Sequence, residues 1–387
     1  MKRFSIFLIL NFWAVTAALA QSPAMPVMTA KSWLLLDATT EQVIASHQPG
    51  LRVEPASLTK LMTGYIACAA VEQKKIQRDQ MVDVSARAWK TDRGGSRMFI
   101  EPGKPVSIGD LLHGLIVQSG NDAAVALAEA ISGSEPAFVA EMNRMAKVMG
   151  LKDTQFANSH GLPDPNNYST ARDLAILATH VIYDYPECYS IYAVKTFTYN
   201  GIAQPNRNRL LAPDQGIDGM KTGQTAASGY SLIASASRQL GTGAVAVNRS
   251  RRLVAVVLGA ASGNARTFET QRLLNWGFRN FHTIKLYAAG DVVATPIIWK
   301  GLQKEIKAGF TEDVIITVPR AAARKVKSHL EIKEPLLAPA AEGTQLGQLR
   351  VTLDDAVLVT RPIVALENVG QADFFTRMLD VIWLWMR

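Results

Sequence analysis

The 387-residue sequence has little of what holds a small secreted scaffold or a metalloprotein together. It contains two cysteines, Cys68 and Cys188, so a disulfide framework cannot maintain the fold, and the sequence leaves open whether these two pair. No CxxC or HExxH motif is present, and the six histidines are scattered along the chain. We therefore expect neither a metal site nor another cofactor.

Other functional signals are also missing. No run of five like charges, internal repeat or low-complexity linker occurs, and the chain has no G-x-S-x-G motif of Ser-His-Asp hydrolases. The 41 Lys and Arg against 33 Asp and Glu give a modest net charge of +8. Because no module combines basic with aromatic residues, we expect no nucleic-acid partner, and anionic lipid or wall polymer suits this charge better.

What the chain does contain is apolar material for a sizeable core. It is 48% hydrophobic and 19% charged, which suits two or three globular domains. At the N-terminus, Lys2-Arg3 precedes an apolar run, and Ala18-Leu19-Ala20 follows it. This pattern predicts a cleaved secretory signal peptide at residues 1–20, with an uncleaved anchor as the alternative. The mature protein should work outside the cytoplasm.

The C-terminal residues 370–387 form an amphipathic pattern. Asp373, Arg377 and Asp380 fall on one helical face, and two Phe, two Trp and several aliphatic residues cover the rest. The stretch is too short and too charged to span a bilayer. We expect a helix that lies in the membrane interface, and the alternative is a terminal helix docked on the core.

Hydrophobic periodicity predicts a mixed α+β body at residues 28–283. A hairpin is expected at 33–46 and strands at 229–237 and 253–259, so strands from both ends of this region flank a helical middle. Such an order predicts one antiparallel sheet with helices packed on it. The expected helices cover residues 58–71, 107–118, 123–131 and 170–182.

After Trp276 the pattern changes to short β-branched segments separated by Gly, Pro and Asp-Asp turns. These segments predict a small all-β domain at residues 284–368, before the terminal helix. Its expected strands lie at residues 292–299, 314–318, 349–353 and 356–366.

The first candidate for chemistry is a serine-lysine pair at the start of the first long helix. Ser57 and Lys60 are three residues apart, which places both side chains on one helical face, one turn apart. The positive end of the helix dipole would stabilise negative charge that develops near the serine. To accept a proton near neutral pH, the Lys60 amine must be uncharged, which requires desolvation or a second cation nearby.

Two further polar clusters could complete such a site. Ser119-Gly120-Asn121 lies at a break between helices, where a hydroxyl could relay protons and an amide could hold a peptide group. Lys221-Thr222-Gly223 precedes a strand and offers a cation, a hydroxyl and close backbone approach for a ligand along the strand edge. Each element alone could be an ordinary cap or turn, but the ordered set S-x-x-K, S-x-N, K-T-G is specific.

On these motifs, the sequence resembles the low-molecular-mass penicillin-binding proteins, the D-alanyl-D-alanine carboxypeptidases, which are related to class A β-lactamases. The resemblance covers nearly the whole mature chain, including the β-domain and the amphipathic terminus. It implies a transpeptidase-like body and the periplasmic face of the bacterial inner membrane. Further matching segments are Glu54-Pro55-Ala56, Gln118–Asp122, Asn158-Ser159-His160-Gly161-Leu162 and Asn206-Arg207-Asn208.

The resemblance also implies a reaction and a set of site residues. Ser57 would attack the penultimate D-Ala carbonyl of a peptidoglycan stem peptide, Lys60 would act as base, and β-lactams would acylate the same serine. Backbone N–H groups of Ser57 and Gln224 would form the oxyanion hole, although many relatives have a histidine at the position of Gln224. The implied catalytic residues are Ser57, Lys60, Ser119, Asn121 and Lys221, and the implied substrate-binding residues are Thr222, Gly223, Gln224, Arg207 and Arg266.

Two alternatives remain open from the sequence. A serine β-lactamase shares the fold and the motifs, but usually lacks the extra β-domain and the terminal helix, and no E-x-x-L-N signature is clear between Asn121 and Lys221. A catalytically weak wall-binding scaffold would use the β-domain and the helix instead. The intact motif residues argue against the scaffold.

Overall fold

The computed structural model describes residues 24–91, 95–211, 216–239 and 250–386, so the expected signal peptide lies outside the described residues. The first nine strands are β1 (Ser32–Asp37), β2 (Gln42–His47), β3 (Met81–Val82), β4 (Val106–Ser107), β5 (Thr196–Tyr199), β6 (Ile202–Pro205), β7 (Ile217–Thr225), β8 (Gly229–Gln239) and β9 (Ser250–Ala260). The first eight helices are α1 (Lys60–Glu72), α2 (Ala86–Lys90), α3 (Ile108–His113), α4 (Asn121–Ser132), α5 (Glu135–Val148), α6 (Ala171–Tyr183), α7 (Pro186–Tyr189) and α8 (Gly263–Asn280).

The main sheet is antiparallel, with strand order β2-β1-β9-β8-β7. This confirms the predicted sheet built from two distant parts of the chain. All six residues of β1 are buried because helices cover both faces of the sheet. Leu34 and Leu36 belong to the core shared with α1, α4 and α6, whereas Leu35 packs in the core that contains Leu273 and Leu274 of α8. Successive side chains of β1 point to opposite faces of the sheet, so neighbouring leucines pack in two different cores.

Two expected helices differ in detail from the prediction. Ser57 does not open an α-helix: it lies in a 3-10 turn, Ala56–Thr59, and α1 begins at Lys60. Ala56 has a left-handed φ of 50°, which cannot continue a regular helix from Pro55. The helix expected at 107–118 ends as α3 at His113 and continues as one π-helical turn, Gly114–Gln118. Both departures flank residues of the candidate site.

The C-terminal part consists mainly of short strands around a second core. Its largest sheet has the order β11-β13-β18-β17-β15. The single strand expected at 292–299 is wrong, because Pro296 lacks an N–H donor and separates two short strands that join different sheets. The elements are β10 (Phe281–Tyr287), β11 (Val292–Ala294), β12 (Ile298–Trp299), β13 (Ala308–Gly309), β14 (Val314–Pro319), β15 (Val326–Ile332), β16 (Leu336–Leu337), β17 (Gln345–Leu353), β18 (Ala356–Ala365) and α9 (Phe374–Trp385).

The two parts of the chain meet through a buried polar network. Arg251 Nε donates to Asp37 Oδ2 at 2.6 Å, and Thr317 Oγ1 donates to the same carboxylate oxygen at 2.5 Å. Thr317 N also donates to Gln42 Oε1, which links β14 to β2. The expected boundary between residues 283 and 284 falls inside β10, a strand that pairs with β14.

A disulfide joins Cys68 of α1 to Cys188 of α7. The sequence had left this pairing open. The bond ties the helix that begins at Lys60 to a segment 120 residues later in the chain.

Candidate active site

A cavity of about 250 Å³ opens beside the 3-10 turn and the edge strand β7. It brings together side chains from all three sequence clusters. Lys60 and Lys221 are buried next to these residues, with 1% and 2% of their surface exposed. The lining residues are Ser57, Gly95, Ser96, Ser119, Asn121, His160, Gly161, Leu162, Pro163, Arg207, Thr222, Gly223, Gln224, Thr225 and Arg266.

The Lys60 amine is fixed between the candidate nucleophile and two oxygen acceptors. Its Nζ lies 3.0 Å from Ser57 Oγ and 2.6 Å from Asn121 Oδ1. The carbonyl oxygen of His160 accepts a third hydrogen bond at 2.5 Å. This arrangement holds the amine within proton-transfer distance of the serine hydroxyl.

Ser119 occupies the turn between the π-helical turn and α4. Its φ of 69° is left-handed, and this conformation ends the π-helical turn. The hydroxyl is buried and has no hydrogen-bond partner in the part of the chain that the structure describes. An unpaired buried hydroxyl costs about 1–3 kcal/mol, so a partner supplied by a substrate would remove this cost. The Ser119 hydroxyl is therefore available to bind a substrate or to relay a proton.

Lys221 provides the second cation of the site. Burial, together with the positive charges of Lys60, Arg207 and Arg266, holds the pKa of Lys221 well below its usual value. Lys60 and Lys221 repel each other when both are protonated, so their proximity favours a state with one uncharged amine. The lowered pKa is that of Lys221, and this lysine supplies the neighbouring second amine that the sequence analysis required beside Lys60.

Cations and a hydroxyl lie near the K-T-G strand. Arg266 Nη1 donates to the Gly223 carbonyl at 3.1 Å, and Arg207 and Thr222 line the same cavity. Gly223 allows close packing of β7 on the 3-10 turn, since a Cβ there would lie 3.0 Å from the Pro55 carbonyl oxygen. These cations suit a ligand that carries a carboxylate.

Residues 158–162 are a segment that matches the family in sequence, but that match does not predict that the His160 carbonyl binds Lys60. Glu135 Oε1 accepts hydrogen bonds from Ser159 N and Ser159 Oγ at 3.1 and 2.8 Å, and Arg87 pairs with the other carboxylate oxygen. Gly161 has a φ of +88°, and a Cβ there would meet the Ala56 carbonyl oxygen at 1.8 Å. A glycine after the histidine was the available signal, but the acceptor is a backbone atom that residue identity does not reveal.

Asp122 fixes the backbone of the segment that follows the lining residues Gly95 and Ser96. Its carboxylate accepts hydrogen bonds from the backbone N–H groups of Met98 and Phe99, both at 3.0 Å, and it is fully buried. Asn121 N donates to the Ser96 carbonyl at 2.8 Å and joins this segment to α4. The described ranges contain no cluster of three His, Cys, Asp or Glu side chains that could bind a metal ion.

A family model described as D-alanyl-D-alanine carboxypeptidase matches residues 19–262. The chain belongs to this family. A second model, described as the penicillin-binding protein 5 C-terminal domain, matches residues 281–371. Family membership confirms the resemblance that the three sequence motifs indicated.

Relatives and solved structures agree with this assignment. The chain is 40% identical over 386 residues to D-alanyl-D-alanine carboxypeptidase DacC of Escherichia coli, covering 98% of this chain and 94% of that protein. It is 39% identical to DacA of Haemophilus influenzae, with 98% and 95% coverage. Penicillin binding protein 5 from Haemophilus influenzae matches with a TM-score of 0.83 at 40% identity, covering 90% of this chain and 99% of that structure.

A more distant structure shows a family relative with a β-lactam. Penicillin-Binding Protein D2 from Listeria monocytogenes, in its ampicillin-bound form, has a TM-score of 0.57 at 27% identity. The match covers 66% of this chain and 100% of that structure. The structural matches confirm the predicted fold class of a transpeptidase-like domain followed by a small β-domain.

Proposed function

We propose that the protein is a serine D-Ala-D-Ala carboxypeptidase that removes the terminal D-alanine from peptidoglycan pentapeptides. The observation that carries the proposal is the 3.0 Å separation of Lys60 Nζ from Ser57 Oγ beside a cavity lined by Arg207 and Arg266. A nucleophile, a base and cations in one cavity suit cleavage next to a free carboxylate. The names of the relatives support the same activity.

In the first half-reaction, Ser57 Oγ attacks the carbonyl carbon of the penultimate D-Ala while the neutral Lys60 amine accepts its proton. The peptide C–N bond breaks, D-alanine leaves with a proton on its amine, and an ester to Ser57 remains. Ser119 and Lys221 assist the proton transfers, and Asn121 binds the peptide backbone. Backbone N–H groups of Ser57 and Gln224 stabilise the oxyanion.

In the second half-reaction, water attacks the ester carbonyl, the C–O bond to Ser57 breaks, and the proton returns to the serine oxygen. Arg207, Arg266 and Thr222 bind the terminal carboxylate, and Gly223 allows the peptide to approach β7. β-Lactams acylate Ser57 by opening their ring, which leaves a covalent ester.

The alternatives of a serine β-lactamase and a catalytically weak scaffold are not favoured. The relatives are named as carboxypeptidases, and a penicillin-binding protein 5 C-terminal domain follows the catalytic region. A penicillin burst with slow release is expected of the carboxypeptidase, whereas rapid multiple turnover would support the β-lactamase.

The deciding experiment is D-alanine release from a purified pentapeptide, combined with intact-mass analysis after fluorescent penicillin. Labelling should map to Ser57, and Ser57→Ala should abolish both labelling and release while the circular dichroism spectrum stays unchanged. Ser190→Ala, which changes an exposed serine outside the cavity, should retain both. A label on another residue would overturn the site assignment.

We also propose that the protein works at the periplasmic face of the inner membrane. Residues 1–20 are its signal peptide, 28–283 its catalytic domain, 284–368 its β-domain and 370–387 its membrane anchor. No residue of α9 is buried, and Trp383 and Trp385 are 61% and 88% exposed, although Asp380 accepts a hydrogen bond from Lys300 N; the exposed aromatic face suits an interfacial helix. Within the described residues, no helix has the length and apolar character needed to cross a bilayer.

Membrane attachment is tested with vesicles of anionic lipid. Trp383→Ser combined with Trp385→Ser should weaken vesicle binding strongly, and deletion of 370–387 should abolish it. Unchanged binding of the deletion would refute the anchor, and N-terminal sequencing of the exported protein should begin at Gln21.

A further inference from the structure

A second cavity, of about 430 Å³, lies at the end of β8 that is far from the active site. Ser231 of β8 lies opposite Gly223, and Arg238, seven residues further along the strand, lines the second cavity. At about 3.3 Å per residue, these two positions are about 23 Å apart. The cavity adjoins the C-terminal end of α8 and the residue that follows β14, and its lining residues are Arg238, Gln239, Arg251, Asn275, Phe278, Arg279 and Arg320.

The described residues that line this cavity include four arginines and no carboxylate. The Asp37 carboxylate pairs with Arg251. Arg238 donates to the neutral Asn275 Oδ1 at 2.6 Å, and Arg320 donates to the Arg279 carbonyl at 2.9 Å. Among the described residues that line the cavity, four arginines and no carboxylate therefore leave positive charge in excess.

Arg251 carries the observation that points to a ligand. It is 1% exposed, and its Nε and Nη1 donate to Asp37 Oδ2 and to the Phe281 carbonyl oxygen. Its Nη2 is buried and has no hydrogen-bond acceptor within the described part of the chain. A buried guanidinium donor without an acceptor is costly, and an anion in the cavity would satisfy it.

The positive charges of the arginine cavity also act on a neighbouring histidine, His282. His282 follows Phe281 on β10, and its Nε2 is also buried without a partner in the described ranges. Burial, with the charges of Arg320 and Arg251, lowers the pKa of His282. The positive charge of the cluster therefore reaches beyond the cavity wall.

We propose that this arginine cavity is a binding site for a phosphate group, separate from the peptide site. Guanidinium groups match phosphate oxygens with paired N–H donors. A cavity with several arginines can neutralise a doubly charged phosphate, whereas a singly charged carboxylate would need fewer cations. The volume exceeds that of one phosphate ion, so a phosphate attached to a small organic group also fits. The ligand is either free phosphate or the phosphate headgroup of an anionic lipid.

The first test is titration of the mature chain with inorganic phosphate at constant ionic strength, followed by calorimetry. We expect saturable binding with a Kd below roughly 1 mM, as for a specific ion site. Arg279→Gln and Arg320→Gln should each weaken phosphate binding about tenfold or more, because each substitution removes a charge-assisted hydrogen bond. Arg144→Gln, which removes an exposed arginine on α5, is the matched control and should bind as the unchanged protein does. D-alanine release should stay unchanged in all three variants.

A second measurement reports on the cavity itself. Phosphate should raise the pKa of His282 in an NMR titration, because a bound anion offsets the arginine charges, and the exposed His329 of β15 should not respond. No saturable heat by 10 mM phosphate (about tenfold above the expected Kd), or equal losses in Arg144→Gln, would overturn the proposal.

Vesicles distinguish the two sources of phosphate. If the ligand is a lipid headgroup, Arg279→Gln and Arg320→Gln will each reduce binding to phosphatidylglycerol vesicles more than Arg144→Gln does. Binding to phosphatidylcholine vesicles should not change. If only inorganic phosphate distinguishes these variants from the control, the site binds the free ion.

Discussion

The carbonyl oxygen of His160 lies 2.5 Å from Lys60 Nζ, although the two residues are 100 positions apart in the sequence. Glu135 fixes the loop that presents this carbonyl through its hydrogen bonds to Ser159. Burial favours protonation of Glu135, but hydrogen bonds from Arg87 and Ser159 outweigh it and hold its pKa below the usual value. A carboxylate that does not reach the cavity thus positions the base.

Glu135→Gln should therefore slow catalysis without removing a catalytic group. We expect kcat for D-alanine release to fall about tenfold while KM stays within about twofold, because the amide holds Ser159 more weakly and the Lys60 amine loses its fixed position. The free energy of unfolding should fall by about 2 kcal/mol. Glu141→Gln, on the exposed face of the same helix, is the control for both measurements. Equal kinetics in the two variants would contradict a positioning role.

Arg207→Gln should weaken recognition of a free C-terminal carboxylate. A charge-assisted hydrogen bond contributes about 1.5–3 kcal/mol, so kcat/KM for a pentapeptide should fall about 10- to 100-fold. The same substitution should have little effect on a peptide whose C-terminus is amidated. Arg172→Gln changes an exposed arginine that does not line the cavity, and it should leave both substrates near their original rates.

Removal of the Cys68–Cys188 disulfide should lower stability substantially. The bond joins residues 120 positions apart, and a loop of this size gives a stabilisation of about 5 kcal/mol in chain-entropy terms. The Cys68→Ala, Cys188→Ala double variant should unfold at lower urea concentration, and reducing agent should shift the unchanged protein but not the variant. Two reactive thiols in the unreduced, denatured protein would show that the bond is absent.

Burial of Lys221 should make the free energy of unfolding depend on pH below the ordinary lysine pKa. Because its folded-state pKa lies well below the unfolded value of 10.5, the unfolded chain binds more protons between these two values. The free energy of unfolding should therefore rise with pH across this window, by up to about 1.4 kcal/mol per pH unit. Below the folded-state pKa, Lys221 is protonated in both states, and the whole cost of burying its charge destabilises the fold. Lys221→Met should remove this rise, whereas Lys152→Met, at an exposed position, should retain it in urea unfolding series.

Much of the fold was predictable because its signals are local. The apolar run that contains Leu34, Leu35 and Leu36, followed by polar turn residues, indicated a hairpin, and distant apolar strands predicted a sheet made from both ends of the region. The three-residue interval from Ser57 to Lys60 predicted their proximity, which survives although Ser57 lies in a 3-10 turn. Side-chain spacing is sufficient there because the chain turns in a regular way through both residues.

The rest depends on contacts between distant backbone groups or on local strain. The His160 carbonyl has no side-chain signature, and the pairing of Cys68 with Cys188 joins residues far apart in sequence. Pro296 was a visible sign against a continuous strand over 292–299, but its effect depends on the two sheets that receive the flanking residues.

The sheet order has a consequence for when the protein can become active. β7, the strand beside the nucleophile's turn, connects to β1 only through β8 and β9, so the main sheet closes only after residue 250 has joined the fold. Ser57 and Lys60 come early in the chain, yet their supporting layer forms about 200 residues later in a slow, long-range closure. The active site therefore depends on strands that are far apart in the sequence, and a fragment that ends before β9 lacks the central strand of the main sheet.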